Sequence, residues 1–271
     1  MSEITFHKFV ASGNDFIIID SRNNAVKNQK ELAQKVCQPH VGVGADGVLF
    51  IEPSKKADFF MRIINSDGSE AEACGNGYRC VGLYANQLLN FPKSMTAETL
   101  AGLIKIEVGK ESIKVKMAEP SEYRETVQIN DVNLNGSKVN AAFINTGVPH
   151  TVIFTENLKD VPVDELGRKI RNHELFKPRG TNVNFVEVTG KNSLKLRTYE
   201  RGVEAETLAC GTGAVASAIV ACLNKGVEAP VVVTPPSGEV LKVYLDVNNQ
   251  KIQNVFLEGS ANFVFEGRLL I

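Results

Sequence analysis

One short pattern occurs twice in the sequence. Ala73-Cys74-Gly75-Asn76-Gly77 returns as Ala209-Cys210-Gly211-Thr212-Gly213, and the two cysteines are 136 residues apart (210 minus 74). Because twice this interval nearly equals the chain length of 271 residues, the repeat predicts an internal duplication. A period this long indicates two related domains and not a solenoid, whose repeats span only about 20–45 residues.

Other landmarks recur in the same order at nearly the same interval. Gly13-Asn14-Asp15 corresponds to Gly147-Val148-Pro149 at an interval of 134 residues. Gly44-Ala45-Asp46 corresponds to Gly180-Thr181-Asn182 at an interval of 136 residues. The matched order supports a duplication that extends over the whole chain.

The place where the repeat restarts predicts the domain boundary. Residues 118–121 are polar and contain a proline, which is typical of a linker. We therefore predict an N-terminal domain of residues 1–118 and a C-terminal domain of residues 119–263. The last strand-like segment, residues 264–271, has no counterpart in the first half, so we expect it to complete the sheet of the first domain.

Strand-like segments dominate both halves. One amphipathic helix is predicted in each half, at residues 29–37 and 163–171, and a small-residue helix follows each repeated cysteine. Each half is therefore expected to be a curved sheet around one central helix. The predicted strands, rich in β-branched and aromatic residues with period-two alternation, are residues 4–10, 16–20, 48–52, 59–65, 103–108 and 113–117, then 139–145, 151–154, 183–188, 194–200, 231–234, 241–247 and 255–257.

Cys74 and Cys210 each stand where an extended segment ends and a helix begins. Unpaired backbone N–H groups and the helix dipole favour an anion there and lower the pKa of a thiol. The flanking glycines leave room for a carboxylate to reach the same N–H groups. We interpret both cysteines as functional thiols, whereas Cys37, Cys80 and Cys222 lie on apolar helical faces and are expected in the core.

The composition restricts the possible functions. Lys+Arg number 30 and Asp+Glu number 31, with no block of like charge, which argues against nucleic-acid or anionic-membrane partners. Residues 1–10 lack the layout of a signal peptide, and the uncharged segment 207–224 has only about ten strongly apolar residues, too few for a membrane span. Five cysteines without short paired spacings fit a reducing compartment, so we expect a cytoplasmic protein.

Three familiar motifs are absent or out of context. Residues 42–47 match GxGxxG, but a helix precedes them and a strand follows, which is the reverse of a dinucleotide site. Cys74 and Cys80 have the spacing C-x5-C without a His or Cys cluster, which argues against zinc. No lysine is marked by its context as a Schiff-base residue for pyridoxal phosphate. We therefore expect neither a cofactor nor a metal.

Two charged or polar positions lie near the second cysteine. Glu200-Arg201-Gly202 ends a strand a few residues before Cys210 and is interpreted as substrate-binding, although most such charges form surface ion pairs of little consequence. His150 occupies the loop equivalent to Asn14-Asp15. A lone loop histidine is usually inert, so the residues by themselves leave its role open.

Two thiols on pseudo-symmetric domains suit one reaction especially. If they face each other across a cleft between the domains, one thiolate can remove a proton from one face of a carbon while the other thiol returns one to the opposite face. A positioned general base contributes roughly 10²–10⁴-fold, too little for an α-proton beside a carboxylate. The remainder must come from oriented dipoles in a site closed to water.

The chain resembles the diaminopimelate epimerase family over essentially its whole length. That family interconverts LL- and meso-diaminopimelate without a cofactor, in lysine and peptidoglycan-precursor synthesis. The resemblance implies an α/β (α+β) fold of two similar domains, each a barrel-like, mostly antiparallel sheet around a central helix. The segments that carry it are Gly13-Asn14-Asp15-Phe16, Asn65-Ser66-Asp67-Gly68-Ser69-Glu70, Ala73-Cys74-Gly75-Asn76-Gly77, Gly147-Val148-Pro149-His150, Tyr199-Glu200-Arg201-Gly202 and Glu206-Thr207-Leu208-Ala209-Cys210-Gly211-Thr212-Gly213.

The resemblance also implies residue roles. Cys74 and Cys210 would be the acid/base pair, and His150 and Glu200 would tune their proton affinities. Arg201 suits a distal carboxylate through a bidentate contact, and Glu200 suits an ammonium. The implied substrate-binding residues are Asn14, Asn65, Asn182, Glu200 and Arg201, with the backbone of Gly75, Asn76, Gly211 and Thr212.

Three positions depart from one version of the family pattern. Val148 replaces an asparagine, Gly47 a glutamine, and Phe265 a tyrosine at the dimer contact of some members. Side-chain contacts to substrate at positions 148 and 47 are therefore not implied. A homodimer is still expected, although the sequence does not define its interface.

Two other functions compete with an epimerase of diaminopimelate. A proline or hydroxyproline racemase has a similar two-cysteine design, but Glu200-Arg201 favours a substrate with a second charged end, which proline lacks. A thiol redox protein would be expected to contain C-x-x-C, which this sequence does not.

Overall fold

The computed structural model describes residues 3–23, 26–248 and 251–270. The chain forms two compact units: unit 1 comprises Met1–Lys116 with Gly259–Ile271, and unit 2 comprises Met117–Glu258. Among the described residues, no helix combines the length and the apolar character needed to span a bilayer.

Strands are the main elements of both units, and each unit has two α-helices within the described ranges. The first part of the chain contains β1 (Glu3–Ala11), β2 (Asn14–Asp20), α1 (Gln29–Val36), β3 (Gly47–Glu52), β4 (Phe59–Asn65), β5 (Glu70–Ala71), α2 (Gly75–Leu88), β6 (Ser94–Thr99), β7 (Gly102–Val108) and β8 (Ile113–Lys116). The remainder contains β9 (Ser121–Leu134), β10 (Ser137–Asn145), β11 (Pro149–Phe154), α3 (Val163–Arg171), β12 (Asn182–Gly190), β13 (Ser193–Glu200), β14 (Ala205–Thr207), α4 (Gly211–Lys225), β15 (Val231–Thr234), β16 (Leu241–Asn248), β17 (Lys251–Gly259) and β18 (Asn262–Leu270).

The two units have the same strand order. In unit 1 the order is β18, β1, β2, β3, β4, β6, β7, β8, and only the pairs β2/β3 and β4/β6 are parallel. In unit 2 the order is β9, β10, β11, β12, β13, β15, β16, β17, and only β11/β12 and β13/β15 are parallel. The predicted mostly antiparallel, duplicated fold is confirmed over the described residues. The last strand, β18, pairs with β1 of unit 1.

Each unit has a central helix that follows a repeated cysteine. Helix α2 packs against β1, β2, β7, β8 and β18, and helix α4 packs against β10, β11, β12, β13, β15 and β16. Every residue of α4 from Gly213 to Ala221 is buried, as expected for a helix that is apolar on all sides. The predicted arrangement of a sheet around a small-residue helix is therefore found in both units.

The amphipathic helices α1 and α3 cover the other face of each sheet. Leu32, Ala33 and Val36 of α1 pack against strand residues such as Ile17 and Phe50. In unit 2, Val163, Leu166 and Ile170 of α3 pack in the same way against Val183, Phe185 and Tyr199. Each fully buried side chain of this size contributes roughly 1.5–3 kcal/mol to the free energy of unfolding. These contacts hold the sheet edges from which the site residues project.

Four strands were not predicted: β5 and β14, which are too short to show an alternating pattern, and the longer β6 and β9. Strand β6 has the sequence SMTAET, in which Met95, Ala97 and Thr99 alternate with less buried residues. Strand β9 begins at Ser121, the last residue of the predicted linker, and most of its 14 residues are exposed. Both segments are poor in β-branched apolar residues, which is why the sequence pattern did not indicate them.

Candidate active site

Cys74 is the N-cap residue of helix α2. Its backbone is extended (φ −152°, ψ 105°), and the backbone N–H of Gly77 donates to its Sγ atom over 3.3 Å. The sulfur therefore occupies the place that a serine or aspartate oxygen usually takes at an N-cap. An N–H donor and the helix dipole both stabilise a negative charge on this atom. The predicted position of Cys74 at a helix N-terminus is confirmed.

The predicted substrate-binding residues Asn14 and Asn76 lie beside Cys74. Asn14 Oδ1 is 4.0 Å from Cys74 Sγ, and the Nδ2 atom of Asn76 donates to the same oxygen over 3.4 Å. On the far side, the buried Arg79 donates from Nη2 to Asn76 Oδ1 over 2.7 Å. Asn14 Nδ2 donates to the carboxylate of Asp46. Since a guanidinium only donates and a carboxylate only accepts, this chain of contacts fixes the orientation of both amides.

Asn65 and Gly47 lie next to each other at the ends of β4 and β3, where they are paired in register. The exposed side chain of Asn65 donates from Nδ2 to Ser69 Oγ over 2.9 Å. A methyl group at position 47 would come within 2.8 Å of the carbonyl oxygen of Ile64. The backbone there leaves no room for a larger residue without movement.

Cys210 is the N-cap residue of helix α4 and has nearly the same extended backbone (φ −125°, ψ 109°). Its surroundings differ from those of Cys74. The residue is buried, and its Sγ atom lies 3.5 Å from the hydroxyl of Thr212 in the first turn. The predicted placement of the second thiol at a helix N-terminus is also confirmed.

His150 is fully buried in β11. The Nδ2 atom of Asn184 lies 3.1 Å from His150 Nδ1, and Asn184 Oδ1 accepts from the hydroxyl of Thr198 over 3.0 Å. Burial, with a smaller contribution from the charge of Arg201, lowers the pKa of His150 to about 3. The imidazole is therefore neutral at physiological pH.

The same asparagine lies against the helix that carries Cys210. A methyl group at Gly213 would come within 2.5 Å of Asn184 Oδ1 and within 3.2 Å of Cys210 Sγ. Gly213 is therefore needed for the close approach of α4 to β12. This contact connects the His150 network to the first turn of the Cys210 helix.

Asn182 and Arg201 are joined directly. The backbone N–H of Arg201 donates to Asn182 Oδ1 over 2.8 Å, and the side chain of Arg201 donates to the carbonyl oxygen of Arg179 over 3.0 Å. Partial burial and the nearby charges of Arg171 and Arg179 lower the pKa of Arg201. Such a concentration of positive charge suits a carboxylate ligand.

Glu200 precedes Arg201 at the end of β13 and is largely enclosed. Burial raises the pKa of its carboxyl group, although a hydrogen bond with Thr207 acts in the opposite direction. An enclosed carboxylate with an elevated pKa can hold an ammonium group or take up a proton. This geometry fits both roles that the resemblance implies for Glu200.

The structure groups the predicted site residues within each unit. In unit 1, Asn14, Cys74 and Asn76 are in contact, and Gly75 begins α2. Asn65 is connected to them through Asp46, which accepts from the side chain of Asn14 and, at its carbonyl oxygen, from the N–H of Ser66. In unit 2, His150 pairs in register with Asn182, which accepts from the N–H of Arg201, the residue after Glu200. Cys210, Gly211 and Thr212 are consecutive at the start of α4.

Sequence reasoning did not identify Arg79, Asp46 or Asn184. One signal was available for Asn184: in Asn182-Val183-Asn184-Phe185-Val186 two asparagines alternate within an apolar strand, so both face the same side. Arg79 and Asp46 had no comparable signal, because their partners are distant in the sequence.

The other three cysteines do not belong to these groups. Cys37 and Cys80 are buried, and burial raises the pKa of Cys37 and of the half-buried Cys222 to about 11. The thiols of Cys37 and Cys222 therefore remain protonated and unreactive at neutral pH. Across the described part of the chain, no three His, Cys, Asp or Glu side chains are close enough together to hold a metal ion.

Known structures share this fold. A phenazine biosynthesis protein of the PhzF family from Bacillus anthracis superimposes with a TM-score of 0.74 at 20% identity, over 100% of both chains. A hydroxyproline epimerase from Agrobacterium vitis gives a TM-score of 0.72 at 14% identity, over 98% of this chain and 92% of the other. The chain therefore has the architecture common to PhzF proteins and proline-type epimerases.

Sequence comparison then gives the family. The diaminopimelate epimerase profile matches residues 6–122 and again residues 142–264, one match in each half. Diaminopimelate epimerase of Aquifex aeolicus is 45% identical over 97% of both chains, and that of Archaeoglobus fulgidus is 41% identical over 98% of this chain and 96% of the other. The chain belongs to the diaminopimelate epimerase family, and the resemblance drawn from its motifs is confirmed.

Proposed function

We propose that this protein is an isomerase that interconverts LL-2,6-diaminopimelate and meso-diaminopimelate. The relatives that it matches are named diaminopimelate epimerases. The observation that carries the proposal is the equivalent position of Cys74 and Cys210, each the N-cap of a buried central helix in a duplicated unit. Units 1 and 2 would be the N-terminal and C-terminal epimerase domains, and each supplies one cysteine.

The reaction needs one cysteine as thiolate and the other as thiol. The thiolate removes the α-proton of the substrate, and the thiol returns a proton to the opposite face of the carbon. For the reverse reaction the two roles exchange. The N–H of Gly77 on the Cys74 sulfur and the dipoles of both helices favour the thiolate form without a metal or cofactor.

The substrate carboxylate at the reacting carbon would bind the open N–H groups of the first helical turns, at Gly75-Asn76 and Gly211-Thr212. These groups also stabilise the charge that develops as the proton leaves. Asn14, Asn65 and Asn182 would bind the polar ends of the substrate. Arg201, among the charges of neighbouring arginines, would hold the distal carboxylate, and Glu200 an ammonium group.

A proton-exchange experiment tests this function. The purified protein, with no added cofactor, is incubated in D₂O with LL-diaminopimelate, and deuterium at the α-carbon is followed by NMR and mass spectrometry. We expect exchange together with formation of the meso isomer. Exchange into proline or hydroxyproline instead would show that the chain is a racemase of that type.

We also propose a cytoplasmic homodimer. Strand β18 carries three neighbouring exposed apolar residues, Phe263, Val264 and Phe265, which are 45%, 52% and 43% exposed. Exposed apolar side chains gathered on one strand are typical of protein interfaces. Sedimentation should give a dimer for the natural protein and a monomer for Phe265→Glu; a monomeric natural protein at micromolar concentration would contradict this assembly.

A further inference from the structure

Asn184 occupies a fully buried position between His150 and the helix that begins at Cys210. Its Nδ2 atom is 3.1 Å from His150 Nδ1 and 3.0 Å from the carbonyl oxygen of Thr151, and its Oδ1 atom is 3.0 Å from the hydroxyl of Thr198. Each polar atom of the amide thus has a neighbour.

These neighbours fix the orientation of the amide. The carbonyl oxygen of Thr151 can only accept a hydrogen bond, so the atom facing it must be the NH₂ group of Asn184. The hydroxyl of Thr198 can donate, which suits the amide oxygen on the other side. A flipped amide would place two acceptors, Oδ1 and the Thr151 carbonyl, against each other.

The orientation determines where His150 carries its proton. One N–H of Asn184 points to Thr151 and the other to His150 Nδ1, so Nδ1 must act as an acceptor. In a neutral imidazole the proton then resides on Nε2. His150 Nε2 is buried, and among the described residues of the chain it has no hydrogen-bond partner. A buried donor without a partner is rare unless a ligand or a reacting group accepts its hydrogen bond.

We propose that Asn184 is a positioning residue that holds His150 as the Nε2–H tautomer. Provided that the chain is an epimerase as proposed above, His150 then acts as a neutral hydrogen-bond donor to the negative charge that forms beside Cys210. It does not act as a proton-carrying cation. Through the close approach of Asn184 Oδ1 to Gly213, in the first turn of the Cys210 helix, the hydrogen-bond network of His150 contacts the segment that carries the thiol.

Nitrogen NMR of the whole protein tests the tautomer directly. The chain has four histidines, and His150→Gln identifies the signals of His150 in long-range ¹H–¹⁵N spectra of ¹⁵N-histidine-labelled protein. We expect a protonated Nε2 and an unprotonated Nδ1 at every pH from 6 to 9. A protonated Nδ1, or a mixture of tautomers, in the natural protein would overturn the proposal without any variant.

Asn184→Asp tests the role of the amide. A carboxylate only accepts, so it draws the proton of His150 to Nδ1, and we expect kcat to fall at least tenfold while the spectra show the other tautomer. Asn192→Asp, the same change at an exposed turn of unit 2, should alter neither quantity. Asn184→Asp with an unchanged tautomer, or with a changed tautomer and an unchanged kcat, would contradict the proposal.

Asn184→Ser provides a second variant if the aspartate variant does not fold, since a hydroxyl also donates to Nδ1 and should retain the Nε2–H tautomer better than Asn184→Leu. Equal tautomer mixtures in the serine and leucine variants would refute the role of the donor. If the natural protein shows the expected tautomer but exchanges no α-proton of diaminopimelate, the proposed function fails and the positioning of His150 by Asn184 stands.

Discussion

Helices α2 and α4 begin at equivalent cysteines with nearly the same backbone angles, yet the polar groups around the two thiols differ. Cys74 accepts a backbone N–H and faces Asn14, whose orientation is fixed through Asn76 and Arg79. Cys210 instead lies beside Asn184, which binds a fully buried, neutral His150. The hydrogen-bond network near Cys74 thus contains a buried cation, Arg79, whereas the network near Cys210 contains the uncharged imidazole of His150.

The repeat interval shows how the difference arose. Arg79 corresponds to Val215 at an interval of 136, and Asn184 corresponds in the same way to Val48. Each half thus has a polar residue where the other has an apolar one. The duplication retained the sheet, the helix and the thiol, while the polar groups around each thiol diverged.

The largest expected effect concerns the equivalence of the two thiols. Cys74→Ala and Cys210→Ala should each lower kcat for epimerisation by about 10²–10⁴-fold, or about 3–5 kcal/mol, because each removes one of the two proposed acid/base groups. Steady-state rates in both directions measure the loss. Cys222→Ala is the control and should stay within about twofold. If either the Cys74 or the Cys210 variant retained most of its activity, the two-base mechanism would be refuted, and only one of the two cysteines would be needed.

The glycines at the third helical position should respond unequally. Ala at position 213 would meet Asn184 Oδ1 at 2.5 Å, whereas Ala at position 77 would meet the flexible end of Met61 at 3.2 Å. We expect Gly213→Ala to lower the free energy of unfolding by about 2–3 kcal/mol and Gly77→Ala by less than about 1 kcal/mol. Urea denaturation measures the free energy of unfolding of both variants. Equal losses would show that the first turns of α2 and α4 are packed alike.

Arg79 should matter to unit 1 alone. Arg79→Met leaves buried oxygens of Ser12 and Asn76 without their donor, so we expect a loss of about 2 kcal/mol in the free energy of unfolding and a higher KM. Arg268→Met, which breaks an exposed pair with Glu3, should cost less than about 1 kcal/mol. An unchanged KM for Arg79→Met would show that Arg79 is not needed to orient the amides of Asn14 and Asn76.

The effect that is smallest at neutral pH is a pH dependence that belongs to unit 2. The folded pKa of His150 is about 3 and its ordinary value is 6.5, so the unfolded chain binds more protons between these values and stability falls as the pH decreases from 6.5 towards 3. The slope from this group is at most about 1.4 kcal/mol per pH unit. Glu200, with its raised pKa, acts in the opposite direction, so its contribution is lost as the pH rises through its folded pKa.

His150→Gln isolates the contribution of His150 to this slope. The difference in the free energy of unfolding between the natural protein and the variant should change with pH below 6.5 and be constant above it, as measured by urea titration at several pH values. A difference that is constant from pH 4 to 8 would show that His150 titrates normally in the folded chain.

The sequence predicted local features well. Both N-cap cysteines and the amphipathic helices α1 and α3 follow from residues close together in the chain, because capping and helical periodicity are local. Strand β9 was missed for a physical reason: it is mostly exposed, and only Val127, Ile129 and Val132 of its 14 residues are buried apolar side chains. Its pairing with β10, and not its composition, makes it a strand.

The polar networks around the thiols could not be predicted from the sequence. Arg79 binds Ser12, 67 residues away, and Asn184 binds His150, 34 residues away. Nothing in the local sequence specifies such partners, since they meet only after the sheets have closed. The predicted site residues were therefore identified by their motifs, whereas the residues that orient them could be identified only from the three-dimensional structure.

The pairing of β18 with β1 joins the two ends of the chain in one sheet. During translation all residues of unit 2, Met117–Glu258, are synthesised before β18. The sheet of unit 2 can therefore be completed without this last nine-residue strand, whereas the sheet of unit 1 cannot. A chain released early, before residue 262, would carry an intact second half and a first half with the outer edge of β1 open to aggregation.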